Sequence, residues 1–154
     1  MAIITAGLVF TGFLYWAQPR SLAEVATKGQ VATGTYSVDR AEAQRGIEAF
    51  KNERFEEART AFDRADPEKR DPAVQFYVAY SYYRQGWGRF YNDDQLFTAG
   101  LGSVNHVIVL DPNFRTQDAD LGLKTAQELK HELEEGLKIT ASDLNPMKLT
   151  RERK

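Results

Sequence analysis

Cysteine is absent from the 154-residue chain. That excludes disulfides, thiolate metal sites, a cysteine nucleophile and a lipoprotein-type acylated N-terminus. Histidine is scarce: His106 and His131 lie far apart, neither has a local Asp or Glu arrangement typical of a metal site, and His106 reads as a packed or edge side chain. Positive charge is not in excess. The net charge of -2 gives no reason to expect a nucleic-acid binder, which normally shows a basic face, so no nucleic-acid partner is expected. Asp118-Ala119-Asp120 with Gly122 fails as a calcium loop, because the glycine comes one position early and Leu129 stands where the bidentate glutamate is needed. Gly100-Leu101-Gly102 lacks the third glycine and the preceding strand of a phosphate loop, and is better explained by close helix packing. No nucleophile–base pair can be nominated, so neither an enzyme nor a cofactor, nor a bound metal, is expected.

Charge is also missing from residues 1–19, the first charged side chain being Arg20. As a helix this segment would reach about 28 Å, close to the hydrocarbon thickness a span must cross. Leu8, Val9, Phe10, Phe13 and Leu14 supply its apolar body, and Tyr15 and Trp16 sit at its end, where amphipathic rings favour the lipid–water interface. The expectation is a retained single-pass membrane anchor. A cleaved secretory signal, with Ser21-Leu22-Ala23 as its cleavage site, and a buried core helix are the alternatives. The signal reading lacks a positive region before the apolar run. Arg20 and Lys28 after the span favour a cytoplasmic domain, and two charges leave a periplasmic or organellar side open. Residues 20–38, with Pro19 at their border and Gly29 and Gly34 inside, read as a linker.

The remainder has the composition of a folded domain, the whole chain being 42% hydrophobic and 27% charged. Asp39 is a plausible N-cap, with Glu42 placed for something close to a capping box, and a helix is expected to about Lys51. A second runs from Phe55 to Ala65, with Phe55, Ala58, Ala61, Phe62 and Ala65 on one face. Residues 72–86, PAVQFYVAYSYYRQG, crowd aromatic rings into one further helix. Asp93-Asp94 caps the next, and VIVLDPN closes it. Residues 116–138 carry Leu123, Ala126, Leu129, Leu133 and Leu137 on one stripe and read as a single long helix. The tail, 139–154, ends in the basic run KLTRERK; solvation is its plain reading, and contact with anionic lipid or an acidic partner the sharper one.

Gly46, Ala49-Phe50, Phe55, Ala58, Phe62 and Ala65 fall at the spacings of the tetratricopeptide repeat, an antiparallel helix pair of about 34 residues. Ala79, Tyr82-Tyr83 and Gly86, followed by Gly100 and Val104, resemble a second unit interrupted by an insertion at 87–96. The sequence departs from the family at Glu42, where an aromatic is usual, and at Glu53, where the inter-helix turn usually has glycine. The resemblance covers roughly residues 39–114. It implies an all-α helical-repeat domain at 39–138, closed by a last helix.

The resemblance further implies a groove lined by the first helix of each unit: Ile47, Phe50 and Lys51, then Phe76, Tyr80, Tyr83 and Arg84, then Ala119 and Leu123. Tyr82, Val78 and Ala79 would pack internally. Ala43 and Ile47 replace two polar clamp positions with which family members grip chaperone tails, so that partner is not expected. Tyrosine and arginine are residue types that interfaces favour. The rings are therefore either a protein-binding groove or internal packing covered by the chain's own linker or last helix. Trp87, Phe90 and Tyr91 in the insertion need burial against the stack or on a partner. Two functions follow as expectations: a scaffold or accessory subunit of a membrane protein complex, and a transient peptide receptor in transport or complex assembly. A secreted domain with its signal removed is a third.

Overall fold

The computed structural model describes residues 36–88 and 92–138. Among them are five α-helices: α1 (Arg40–Lys51), α2 (Phe55–Ala65), α3 (Pro72–Gly86), α4 (Asp94–Leu110) and α5 (Ala126–Leu137). The described part is all-α; its sole strand-like feature is an antiparallel bridge between Arg115 and Thr125. The chain divides into two units, Met1–Ser37 and Val38–Lys154, and all five helices belong to the second. The expected anchor, with Leu8, Val9, Phe10, Phe13, Leu14, Tyr15 and Trp16, lies outside the described residues, as do most of the linker and the basic tail. Among the described residues no helix is long and apolar enough to cross a membrane.

Helix starts follow local chemistry. The Asp39 carboxylate accepts from the N–H groups of Ala41 and Glu42, Asp71 accepts from Val74 with Pro72 in the first helical turn, and Asp93 accepts from Gln95 and Leu96. Each takes up donors that a helix N-terminus leaves unpaired. The capping box expected at Asp39 does not close. Glu42 turns to Arg45 instead, and the Asp39 N–H donates to the Ala65 carbonyl at 3.0 Å, tying the start of α1 to the end of α2. A complete capping box does form at Thr125 and Glu128, where the sequence reading ran one helix straight through. Residues 111–125 are consequently a loop. Asp93 caps α4 as expected, so the last residues of the segment 87–96 form the first turn of that helix.

Between α1 and α2 the backbone turns at Glu53 with φ 59°, the left-handed region that glycine enters most easily. Glu53 thus holds a backbone conformation that glycine would adopt without strain. Between α2 and α3 the turn is organised by Asp66, which is buried. Its carboxylate accepts from the Arg70 and Asp71 N–H groups and from the Gln75 side-chain amide, each at 2.9 Å. A carboxylate can be buried when donors surround it in this way.

Each helix packs on its neighbours in sequence, and α3 touches all four of the others. Ten of its 15 residues are buried, which explains why no single polar face shows in its sequence. Close approach of α1 and α2 depends on Gly46, where an added Cβ would lie 2.4 Å from the fully buried Phe62 ring. α5 buries Ala126, Leu129 and Leu133 and turns a charged face outward.

Gly46→Ala is expected to lower the stability of the domain by about 1–3 kcal/mol, the usual cost of overpacking. The midpoint of urea denaturation measures it; an unchanged midpoint would show that Phe62 can yield.

Candidate interaction face

The face shared by α1 and α3 is the one on which the groove was expected. Its rings form a continuous column. Phe76 meets Tyr80 edge-on at 5.7 Å between centroids, Tyr80 meets Tyr83 at 5.7 Å, and Phe50 of α1 meets Tyr77 at 5.4 Å and Tyr80 at 5.9 Å. Tyr83 continues the column to Phe97 of α4. Offset and edge-on contacts of this kind are the favoured geometries for aromatic pairs.

The loop 111–125 crosses this face as a strap. Phe114 packs on Phe76 at 5.1 Å, and Leu121 and Leu123 are buried beside it. The Tyr80 hydroxyl accepts from the N–H groups of Gly122 at 3.1 Å and Leu123 at 3.2 Å. The Tyr77 hydroxyl donates to the Asp118 carboxylate, and Lys51 reaches Asp120 at 2.8 Å. The strap also holds its own shape. Thr116 N–H donates to the Lys124 carbonyl at 2.9 Å, and the Lys124 ammonium donates to the carbonyls of Asp118 at 2.7 Å and Ala119 at 3.0 Å.

Charge is placed consistently with these contacts. Burial pushes the Tyr77 phenol well above its ordinary value, reinforced by the Asp118 carboxylate, so the hydroxyl remains a donor. Burial alone would raise Asp118. The Tyr77 hydroxyl, the Asp120 N–H and the charges of Lys51 and Lys124 outweigh it and hold the carboxyl below its ordinary value. Lys51 is raised by its hydrogen bond to Asp120 and by the charges of Asp120 and Asp118.

The residues named from sequence divide clearly. Phe50, Phe76, Tyr80 and Tyr83 come together on one face as expected, and the chain's own strap covers them. Of the two readings left open, internal packing is the one the burial supports. Leu123 belongs to the strap, not to a helix, and Ala119 is exposed on it. Ile47 is half-buried beside the core. Arg84 sits over the Phe50 ring at 5.7 Å and the Phe55 ring at 6.0 Å and pairs with Glu53 at 3.0 Å. Val78 and Ala79 are internal, as expected. Tyr82 is not: it is half-buried, with the Arg59 guanidinium 4.2 Å above its ring. Trp87 packs against the core, and Phe90 and Tyr91 lie outside the described residues.

His106 is an edge side chain, its Nε2 lying 2.7 Å from the Lys69 carbonyl oxygen. Among the described residues no group of three or more His, Asp or Glu could hold a metal ion. Gly100 packs closely, an added Cβ falling 3.0 Å from Leu133, while Gly102 does not. A shallow cavity of ≈ 450 Å³ opens where α2 begins, walled by Glu53, Glu56 and Glu57 over Phe55. Its carboxylates are already engaged, Glu53 by Arg84, Glu57 by Arg54 at 2.9 Å and Glu56 by Gln85 at 3.4 Å. The strap's anchors Tyr77, Asp118, Asp120 and Phe114 were not named as a unit from sequence. The available signal is the Asp-rich turn at 118–120, whose spacing does not fit a calcium loop.

Because Asp118 is depressed in the fold, its ionised form stabilises above the unfolded value of about 3.9. That contribution fades as pH falls through the lower folded value. Asp118→Asn should therefore be less stable than the parent at about pH 7, with the difference shrinking toward about pH 2.5. Urea denaturation at the two pH values checks this; a pH-independent difference would contradict it.

Comparison with known proteins finds no matching family model, no similar curated protein and no similar solved structure.

Proposed function

We propose that the chain is a membrane-anchored, tetratricopeptide-like protein-interaction module, acting as a scaffold or accessory subunit of a larger membrane protein complex. Its partners on this reading are other subunits and, through residues 1–19, the bilayer. The domain performs no catalysis of its own and sits on the cytoplasmic side.

The observation that carries this reading is the closed groove face on a paired helical stack. α1 pairs with α2 and α3 with α4, α3 touches both α1 and α5, and α5 closes the row against α4. Phe114, Leu121 and Leu123 remain 9%, 3% and 6% exposed. At about 1.5–3 kcal/mol for each buried side chain, lifting them out would cost roughly 4–9 kcal/mol. That is comparable with the whole net stability of a typical domain, about 5–15 kcal/mol. A receptor that captures peptides on Tyr80 and Tyr83 would have to meet that cost at every binding event. A scaffold has no such cost, since its contacts lie on outer surfaces. The uncharged segment 1–19 and the terminal Tyr15-Trp16 pair support the anchor.

Gentle solubilisation of native membranes tests the subunit reading. The chain is expected to co-migrate with a larger assembly on native electrophoresis. A monodisperse free monomer, with the chain intact, would overturn the reading.

A further inference from the structure

Among the glycines of the five described helices, Gly102 is the one that the domain's own packing does not explain. An added Cβ would meet the Phe62 ring at 2.4 Å at Gly46, Leu96 and Phe97 at 2.9 Å at Gly86, Leu133 at 3.0 Å at Gly100 and Phe97 at 2.1 Å at Gly136. At Gly102 it would meet nothing within 4 Å. Glycine inside a helix costs about 1 kcal/mol against alanine, so an exposed one without a packing role calls for another reason.

Its setting supplies one. Gln95, Thr98, Gly102, Asn105 and Val109 are exposed and recur at helical spacing, forming one outward stripe along α4. Val109 is 79% exposed, the exposed large hydrophobic of the described residues. Asp94, exposed one turn before Thr98, is the only Asp, Glu, Lys or Arg of α4, although at the chain's 27% charge a surface helix of this length would carry about four. Elsewhere the outward faces are charged: Arg45 and Glu48 on α1, Glu56 and Asp63 on α2, Glu134 and Glu135 on α5.

We infer that this stripe docks against the same stripe on a second copy of the chain, two α4 helices crossing about a two-fold axis at Gly102. In a two-fold contact each surface meets itself. A charged stripe would then face its own charge and be repelled; the stripe of α4 carries none. The missing side chain at the crossing lets the two backbones approach. Thr98 and Asn105 on either side give neutral donors and acceptors for the counterpart stripe. Val109 loses its exposed surface. A contact along 17 residues, about 25 Å of helix, buries less than the ~800 Å² per partner of a free-standing complex. Tethering to a shared membrane supplies the local concentration that area alone does not; in this respect the inference rests on the anchored reading.

The absence of native cysteine makes the test direct. Gly102→Cys and Asn105→Cys are placed singly in the full chain, with Glu48→Cys on α1 as the control. Each is oxidised mildly both in membranes and as concentrated purified protein. Disulfide-linked dimer is expected several-fold above the control at position 102 or 105. Val109→Asp added to the same chains should return it to the control level, with an unchanged circular dichroism spectrum. Dimer no greater than the control at both positions overturns the contact, as does cross-linking to a different protein alone. Partition of the same membrane sample in alkaline carbonate separates the two ideas. A chain that leaves the membrane defeats the anchor, and the concentrated protein then decides the contact by itself.

Discussion

Burying tyrosine rings is inexpensive only if their hydroxyls find partners, and this domain is arranged around meeting that condition on α3. Tyr77 and Tyr80 are dry at the ring and polar at the tip. Tyr80 receives two backbone N–H groups of the strap, and Tyr77 donates to the strap's Asp118. The dependence is mutual. Without the strap the ring column from Phe76 to Tyr83 would be open to water. Without the hydroxyls two strap N–H groups would lose a buried acceptor. The path of residues 111–125 is thus set by the chemistry of a helix some forty positions earlier, and the groove face of the stack is closed as a result.

What could be read from sequence follows from how local each cause is. The limits of α1, α2 and α3 were legible because Asp39, the Phe55–Ala65 periodicity, Pro72 and Gly86 act within a turn or two. The division of α3 into inner and outer rings was not. With ten positions buried, the helix has no periodic contrast to read, and Tyr82, assigned inward, proved the more exposed ring beside Arg59. The strap was masked by coincidence. Leu123 falls in step with Ala126, Leu129 and Leu133, so the stripe of α5 seemed to extend backward; the Thr125–Glu128 capping box was the correct punctuation. The Asp118–Tyr77 bond spans 41 positions and leaves no local trace.

Covering the α1–α3 aromatic face leaves that face occupied by the chain's own loop, and α5 turns charged residues outward. The surfaces left to contact other molecules are the outer ones. Of these the outer side of α4 is the exception in chemistry, carrying no charge after Asp94 where its neighbours carry ion pairs and solvated charge. A small helical block whose aromatic face is covered and whose α4 carries little charge is suited to fixed contacts on its outer surfaces.

Native-state hydrogen exchange of the Gly122 and Leu123 amides tests the sealed groove most directly, because these are the groups the Tyr80 hydroxyl holds. If the strap is part of the fold, both amides exchange only through global unfolding, with the same free energy and denaturant dependence as amides in the middle of α3. Exchange through a local opening several kcal/mol cheaper, and insensitive to denaturant, would show that the strap lifts while the helices stay folded. It would return the groove to use as a binding site.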